Sequence, residues 1–161
     1  MIAFIARLFA RTEPVLSQAG PADAAAFSAL HAASFRRGWS EDEIEQLLLD
    51  RNVIAHRATA GRRLVGLILS RLAADEAEIL SVAVGNRHRG RGLGRRLLDL
   101  HLRRLAAMGA QAVFLEVEET NTAARRLYER AGFHEVGRRG GYYAHDDGEA
   151  GIALVLRRDI A

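Results

Sequence analysis

The chain contains no cysteine and no lysine, only two prolines and one tryptophan, and no apolar run long enough to cross a bilayer. Each absence excludes something. Without cysteine there are no disulfides, no thiolate zinc sites and no sulfur nucleophile. Without lysine there is no P-loop, whose Gly-Lys-Ser/Thr core sets an ammonium against phosphates. A large charge excess is also lacking: the formal net charge is +3 over 161 residues, with 49% hydrophobic and 27% charged residues, the balance of an ordinary globular protein. Every non-histidine basic residue is arginine, which raises the isoelectric point without building a polybasic tract, so nucleic acid is an unfavoured partner. No repeat, low-complexity segment or linker divides the chain. Residues 13–161 therefore read as one domain, preceded by an extension, residues 1–12. Arg7 and Arg11 break the apolar run of that extension, and no positive segment precedes it, so it does not read as a targeting or membrane segment and the expected compartment is the cytoplasm.

One stretch organises the remainder. Leu80-Ser81-Val82-Ala83-Val84 reads as a buried strand, and Leu93, Leu97 and Leu98 recur at helical spacing. Between them lies Arg89-Gly90-Arg91-Gly92-Leu93-Gly94-Arg95. Glycines leave backbone N–H groups unobstructed, and a helix N-terminus adds about half a positive charge. A strand running through such a turn into a helix is a mount for a phosphate-bearing ligand. It is not a Rossmann fingerprint, because Leu97 stands where the third small residue belongs. What remains is Arg-x-x-Gly-x-Gly at Arg89, Gly92 and Gly94. This pattern resembles the pyrophosphate-binding motif of the GNAT superfamily of N-acetyltransferases, which implies acetyl-CoA as ligand.

Around this centre the pattern predicts a strand near Val15 and Leu16 and a helix from Pro21 to about Ala33. A second helix follows Ser40, with Glu43 completing a capping box. Strands follow at 52–59, 64–72 and 76–84, then the glycine-rich turn and a helix to about Met108, closed by Gly109. His101 falls on that helix's apolar face and reads as a core histidine. Next come a strand at 113–118, a helix at 122–131 capped by Asn121, and a hairpin of 133–143 with 152–158 turned at 146–148. The order defines an α/β (α+β) domain with a mixed sheet.

Some residues in this scaffold suit chemistry better than packing. Phe114, Glu116 and Glu118 share one strand face, and a carboxylate in mid-strand is costly unless it is solvated or paired. Glu116 is thus either one half of an ion pair or a general base beside a cleft; Glu78 is the rival base and Glu118 a weaker third. Ala124, Leu127, Tyr128 and Ala131 make the sheet-facing stripe of their helix. Tyr128 is either core with a satisfied hydroxyl or a proton donor, its phenol being protonated at pH 7.

The residues Asp75–Glu78, Ser81–Val84, Arg89–Leu98, Leu115–Val117, Asn121, Ala124, Leu127–Glu129, Gly132-Phe133 and Tyr142-Tyr143 stand in the order and spacing of RimI-like acetyltransferases within the GNAT superfamily. Gly38-Trp39-Ser40 matches the first-loop pattern, and the resemblance spans roughly residues 22–156. It implies a mostly antiparallel central sheet flanked by helices, with two strands splayed at the acetyl-CoA site. It implies a cofactor cradle of Val82, Ala83, Val84, Arg89–Arg95 and Asn121, with Glu116 as base and Tyr128 as acid and no metal. Trp39, Glu76, Glu118, Tyr142 and Tyr143 are then candidates for the acceptor side, where Asp75, Glu119, Asp146 and Asp147 add an acidic rim suited to a basic peptide. The implied acceptor is the N-terminal alanine of a small-subunit ribosomal protein. Alternatives are a small-molecule amine, many protein N-termini, a sensing pseudoenzyme, or an arginine-rich RNA-binding module without catalysis. Asp147-Gly148-Glu149-Ala150 departs from relatives that carry a basic residue after the glycine, which touches the acceptor rather than the chemistry.

Overall fold

The elements follow in the order the sequence periodicities predict: β1 (Val15–Gln18), α1 (Ala24–Ser34), α2 (Glu41–Leu49), β2 (Val53–Ala60), β3 (Arg63–Ala73), β4 (Glu76–Val84), α3 (Leu93–Ala107), β5 (Ala112–Glu118), α4 (Thr122–Arg130), β6 (His134–Ala144) and β7 (Ala150–Asp159). This computed structural model describes residues 12–144 and 150–161. The extension 1–11 and the turn expected at 146–148 lie outside the described residues, as do the side chains of 142–144 and 150.

Local chemistry sets the helix boundaries. At α2 the Ser40 hydroxyl accepts from the Glu43 N–H at 3.2 Å, and the Glu43 carboxylate accepts from the Ser40 N–H at 2.7 Å, the reciprocal capping box. The expected helix from Pro21 begins instead as a 3-10 turn over Pro21–Asp23. There Asp23 accepts from the Gly20 N–H at 2.9 Å and pairs with Arg57 of β2, so its carboxylate anchors the turn to the sheet before α1 starts. The final hairpin also reaches further than its apolar alternation suggests, with β7 opening at Ala150 rather than Ile152.

The strands lie in the order β1-β2-β3-β4-β5-β7-β6. All neighbours are antiparallel except β4 and β5, because α3 carries the chain back to start β5 in the direction of β4. One face packs on α3 and α4 through Ile68, Ile79, Leu97, Leu98, Val113, Leu115 and Tyr128. The other receives α1 and α2 through Phe27, Ile44, Leu67, Leu69 and Ala83.

Between β3 and α3 runs a buried polar chain. The Ser70 hydroxyl lies 2.7 Å from His101 Nε2, and His101 Nδ1 lies 2.7 Å from His56 Nδ1. Ser70 and His101 are fully buried, and desolvation lowers the pKa of His101 to about 3. The expected core histidine is therefore neutral, its two nitrogens satisfied by two strands.

Candidate active site

The parallel pair β4/β5 is short. Its last register pair is Ile79 with Leu115, yet β4 continues to Val84 along β3 and β5 continues to Glu118 along β7. A bulge between Leu69 and Ser70 of β3 places Leu80 as an extra residue in β4, and bulges bend the strand that carries them. The strands therefore fork. Glu116 is the first residue of β5 beyond the last pair, and Val82, Ala83 and Val84 lie on the unpaired edge of β4 facing the gap. Ser81 lies just past the fork, its hydroxyl buried with no hydrogen-bond partner among the described residues.

The glycine-rich turn lies at the far end of β4. A 3-10 turn at Asn86–His88 leads into it, Gly90 and Gly92 have φ of 72° and 79°, and Gly92 is the N-cap of α3. These left-handed angles are what glycine permits. Among the described residues the first N–H of the turn to find a backbone acceptor is that of Arg96, bonded to the Gly92 carbonyl at 3.0 Å. The first turn of a helix leaves its leading N–H groups without intrahelical partners. Two of the arginine side chains brace the loop rather than fill it. Arg89 Nε donates to the Val84 carbonyl at 2.8 Å, while Arg95 donates to Asp99 at 2.9 Å and to the Arg130 carbonyl at 2.8 Å. The loop thus offers main-chain N–H groups at the start of α3, and β4 beyond Ile79 offers an edge unpaired with β5.

A groove of about 330 Å³ opens on the α1/α2 face of the sheet, lined by Arg71, Glu76, Glu78, Phe114, Glu116 and Arg139 among others. The register explains the grouping: Glu78 is level with both Arg71 and Phe114, so their side chains leave the same face. Glu116 is about one-fifth exposed and pairs with Arg139 of β6, Nη1 to Oε1 at 3.2 Å, across β7. Arg157 of β7 stacks over the Phe114 ring at 5.1 Å.

Tyr128 is buried on the opposite face, edge-on to Phe133 at 5.8 Å. Burial pushes its phenol up to about 12, so it is protonated throughout the neutral range. No described residue hydrogen-bonds its hydroxyl. Asn121 caps α4 by accepting from the Ala124 N–H at 3.2 Å.

Not every candidate converges here. The Trp39 ring stacks on His31 at 4.4 Å, the Trp39 backbone N–H donates to His31 Nδ1 at 3.0 Å, and Trp39 is not among the groove-lining residues. Glu118 ends β5 beyond the groove. Tyr142 and Tyr143 lie in β6, with their side chains outside the described residues. Arg139 is the site residue that sequence reasoning misses, because one arginine among so many announces nothing until β6 is placed two strands from β5.

A sequence model described as the acetyltransferase (GNAT) family matches residues 24–133. The chain is 35% identical over 94 residues to the [ribosomal protein bS18]-alanine N-acetyltransferase of Haemophilus influenzae, covering 58% of this chain and 64% of that protein. It is 36% identical over 101 residues to the protein of the same description from Salmonella typhimurium, covering 62% and 68%. The crystal structure of the ribosomal-protein-S18-alanine N-acetyltransferase from Escherichia coli superposes with a TM-score of 0.86 at 26% identity, over 92% of this chain and 95% of that one. The family match and the superposition define an acetyltransferase. The chain belongs to the acetyltransferase (GNAT) family.

Proposed function

We propose that the protein moves the acetyl group of acetyl-CoA to an N-terminal α-amine, with alanine as the preferred first residue and a basic protein such as a small-subunit ribosomal protein as acceptor. The observation that carries this reading is the position of Glu116 at the first unpaired step of β5, where a carboxylate, a bare strand edge and an open groove meet. The relatives described as alanine N-acetyltransferases of ribosomal protein bS18 support the acceptor class, and Glu76 and Glu78 give the groove carboxylates that a basic peptide would meet.

Acetyl-CoA supplies an activated thioester carbonyl. The N–H groups from Arg89 to Arg95 hold its diphosphate, and the β4 edge at Val82–Val84, with Asn121 at the mouth of α4, receives the arm. An α-amine has a pKa near 8, so its base has a modest task. Glu116, directly or through one water, takes the amine proton as the new N–C bond forms. N–H groups near Val82 are the donors available to the carbonyl oxygen as it gains charge. Tyr128 gives its proton to the sulfur as the C–S bond breaks. A phenol raised to about 12 is a weak acid against a free thiol. However, the dry surroundings that raise the phenol also raise a thiolate leaving beside it, which keeps the two comparable.

The test is acetyl transfer, read by mass spectrometry, to peptides differing only at residue one (alanine, serine, threonine) against a set of small amines. Faster turnover of the alanine peptide supports the reading, and transfer confined to the small amines refutes it.

A further inference from the structure

We infer that Arg139 is a positioning residue for the transfer: its guanidinium holds the Glu116 carboxylate in the orientation from which it takes the amine proton. This rests on the reading of Glu116 as base. The geometry carries it. Arg139 belongs to β6, which is separated from β5 by β7, and its side chain spans Val155 of β7 to reach Glu116 Oε1 at 3.2 Å. Both residues line the groove. No other described side chain hydrogen-bonds or pairs with Glu116, and Arg139 makes no second contact with a described acceptor.

The partnership is unequal, and that separates it from a surface ion pair. Glu116 is 22% exposed and Arg139 58%, so the carboxylate is the half-buried member and the arginine reaches down to it. A glutamate side chain has three rotatable bonds, and an unheld one would sample the groove instead of facing the fork. The other arginines near the groove have different anchors: Arg71 lies 3.7 Å from Asp50, Arg157 lies on Phe114 and pairs with Asp159 at 2.9 Å, and Arg138 pairs with Glu119 and Glu135. Glu76 and Glu78 face the groove but make no pair with Arg139. Among the described residues the Arg139 cation therefore acts on one carboxylate.

A carboxylate carries about four lone-pair sites, so a single guanidinium at Oε1 leaves acceptor capacity for the incoming amine. The arginine never takes the proton, since guanidinium does not deprotonate in proteins. It keeps Glu116 aimed through the cycle and faces the same oxygen again when the product leaves.

A double-mutant cycle with E116Q and R139M, assayed with saturating acetyl-CoA and an alanine-starting peptide, tests this. R139M is expected to lower kcat about tenfold with the acceptor KM changed less than threefold, R139K is expected to recover part of the loss, and the double variant is expected to be no slower than E116Q alone. Unchanged melting temperature and unchanged stabilisation by acetyl-CoA in R139M show that the fold and the cofactor cradle are intact. Independent, multiplying losses overturn the inference, as does a loss that falls wholly on the acceptor KM, which would make Arg139 a peptide contact. If E116Q keeps full turnover, the base assignment itself fails, and that outcome is distinct from either.

Discussion

His101 Nδ1 lies 2.7 Å from His56 Nδ1 inside the core, and two imidazoles at that distance accommodate one shared proton, not two positive charges. His101 is held neutral by desolvation, its pKa near 3, and that of His56 is also lowered, by burial and by Arg104. In the unfolded chain both return to the ordinary value of 6.5. The unfolded state therefore binds more protons below that value, and stability falls as the pH drops from there toward the folded pKa. At pH 5, His101 alone removes about 2 kcal/mol. Thermal melts are expected to lose several degrees between pH 7 and 5, and a flat profile across that window would show the pair taking up protons as readily in the folded protein as in the unfolded chain.

Removing the Tyr128 hydroxyl separates chemistry from packing. The ring is core, but no described residue bonds the oxygen, so Tyr128→Phe is expected to leave stability within about 1 kcal/mol. Turnover is expected to fall by about 10² or more with acetyl-CoA binding retained. Glu116→Gln is expected to produce a comparable loss.

The loop before α2 tolerates no side chain at Gly38. A Cβ there would lie 2.7 Å from Ala32 Cα and 2.9 Å from its Cβ, so α1 or the loop must move. Gly38→Ala is expected to cost about 1–3 kcal/mol. Trp39 is the only tryptophan, and its stack on His31 makes its emission the readout. An unchanged spectrum and melting point would show the loop free to relax.

Because the N–H groups from Arg89 to Arg95 make no backbone hydrogen bond among the described residues, ligand should raise stability by mass action. Acetyl-CoA at a hundredfold excess over its Kd is expected to add about 2.7 kcal/mol, several degrees in Tm for a domain of this size. No shift with acetyl-CoA, alongside a steeply salt-dependent shift with RNA, would favour the arginine-rich binding module instead.

Much of this was legible in sequence because it is local. Ser40 with Glu43, Asn121 with Ala124, and Gly92 before α3 are written within a few residues of one another, and caps and turns obey short-range rules. His101 announced itself as core by its place on an apolar helix face. The fork did not, because alternation tells which face a residue occupies and not where two strands stop pairing; a bulge at Leu80 shifts the register without a glycine or proline to mark it. The Glu116–Arg139 pair was equally silent, since it depends on β7 entering the sheet between β5 and β6.

The central claim is that the gap between β4 and β5 is where the thioester lies. A crystal structure of the protein soaked with acetyl-CoA tests it most directly. The account predicts the diphosphate on the N–H groups from Arg89 to Arg95, the arm along Val82–Val84, and the sulfur within reach of the Tyr128 hydroxyl with Glu116 on the acceptor side. Cofactor bound elsewhere on the sheet, or bound with the Tyr128 hydroxyl and the Glu116 carboxylate both turned away from the sulfur, would contradict it.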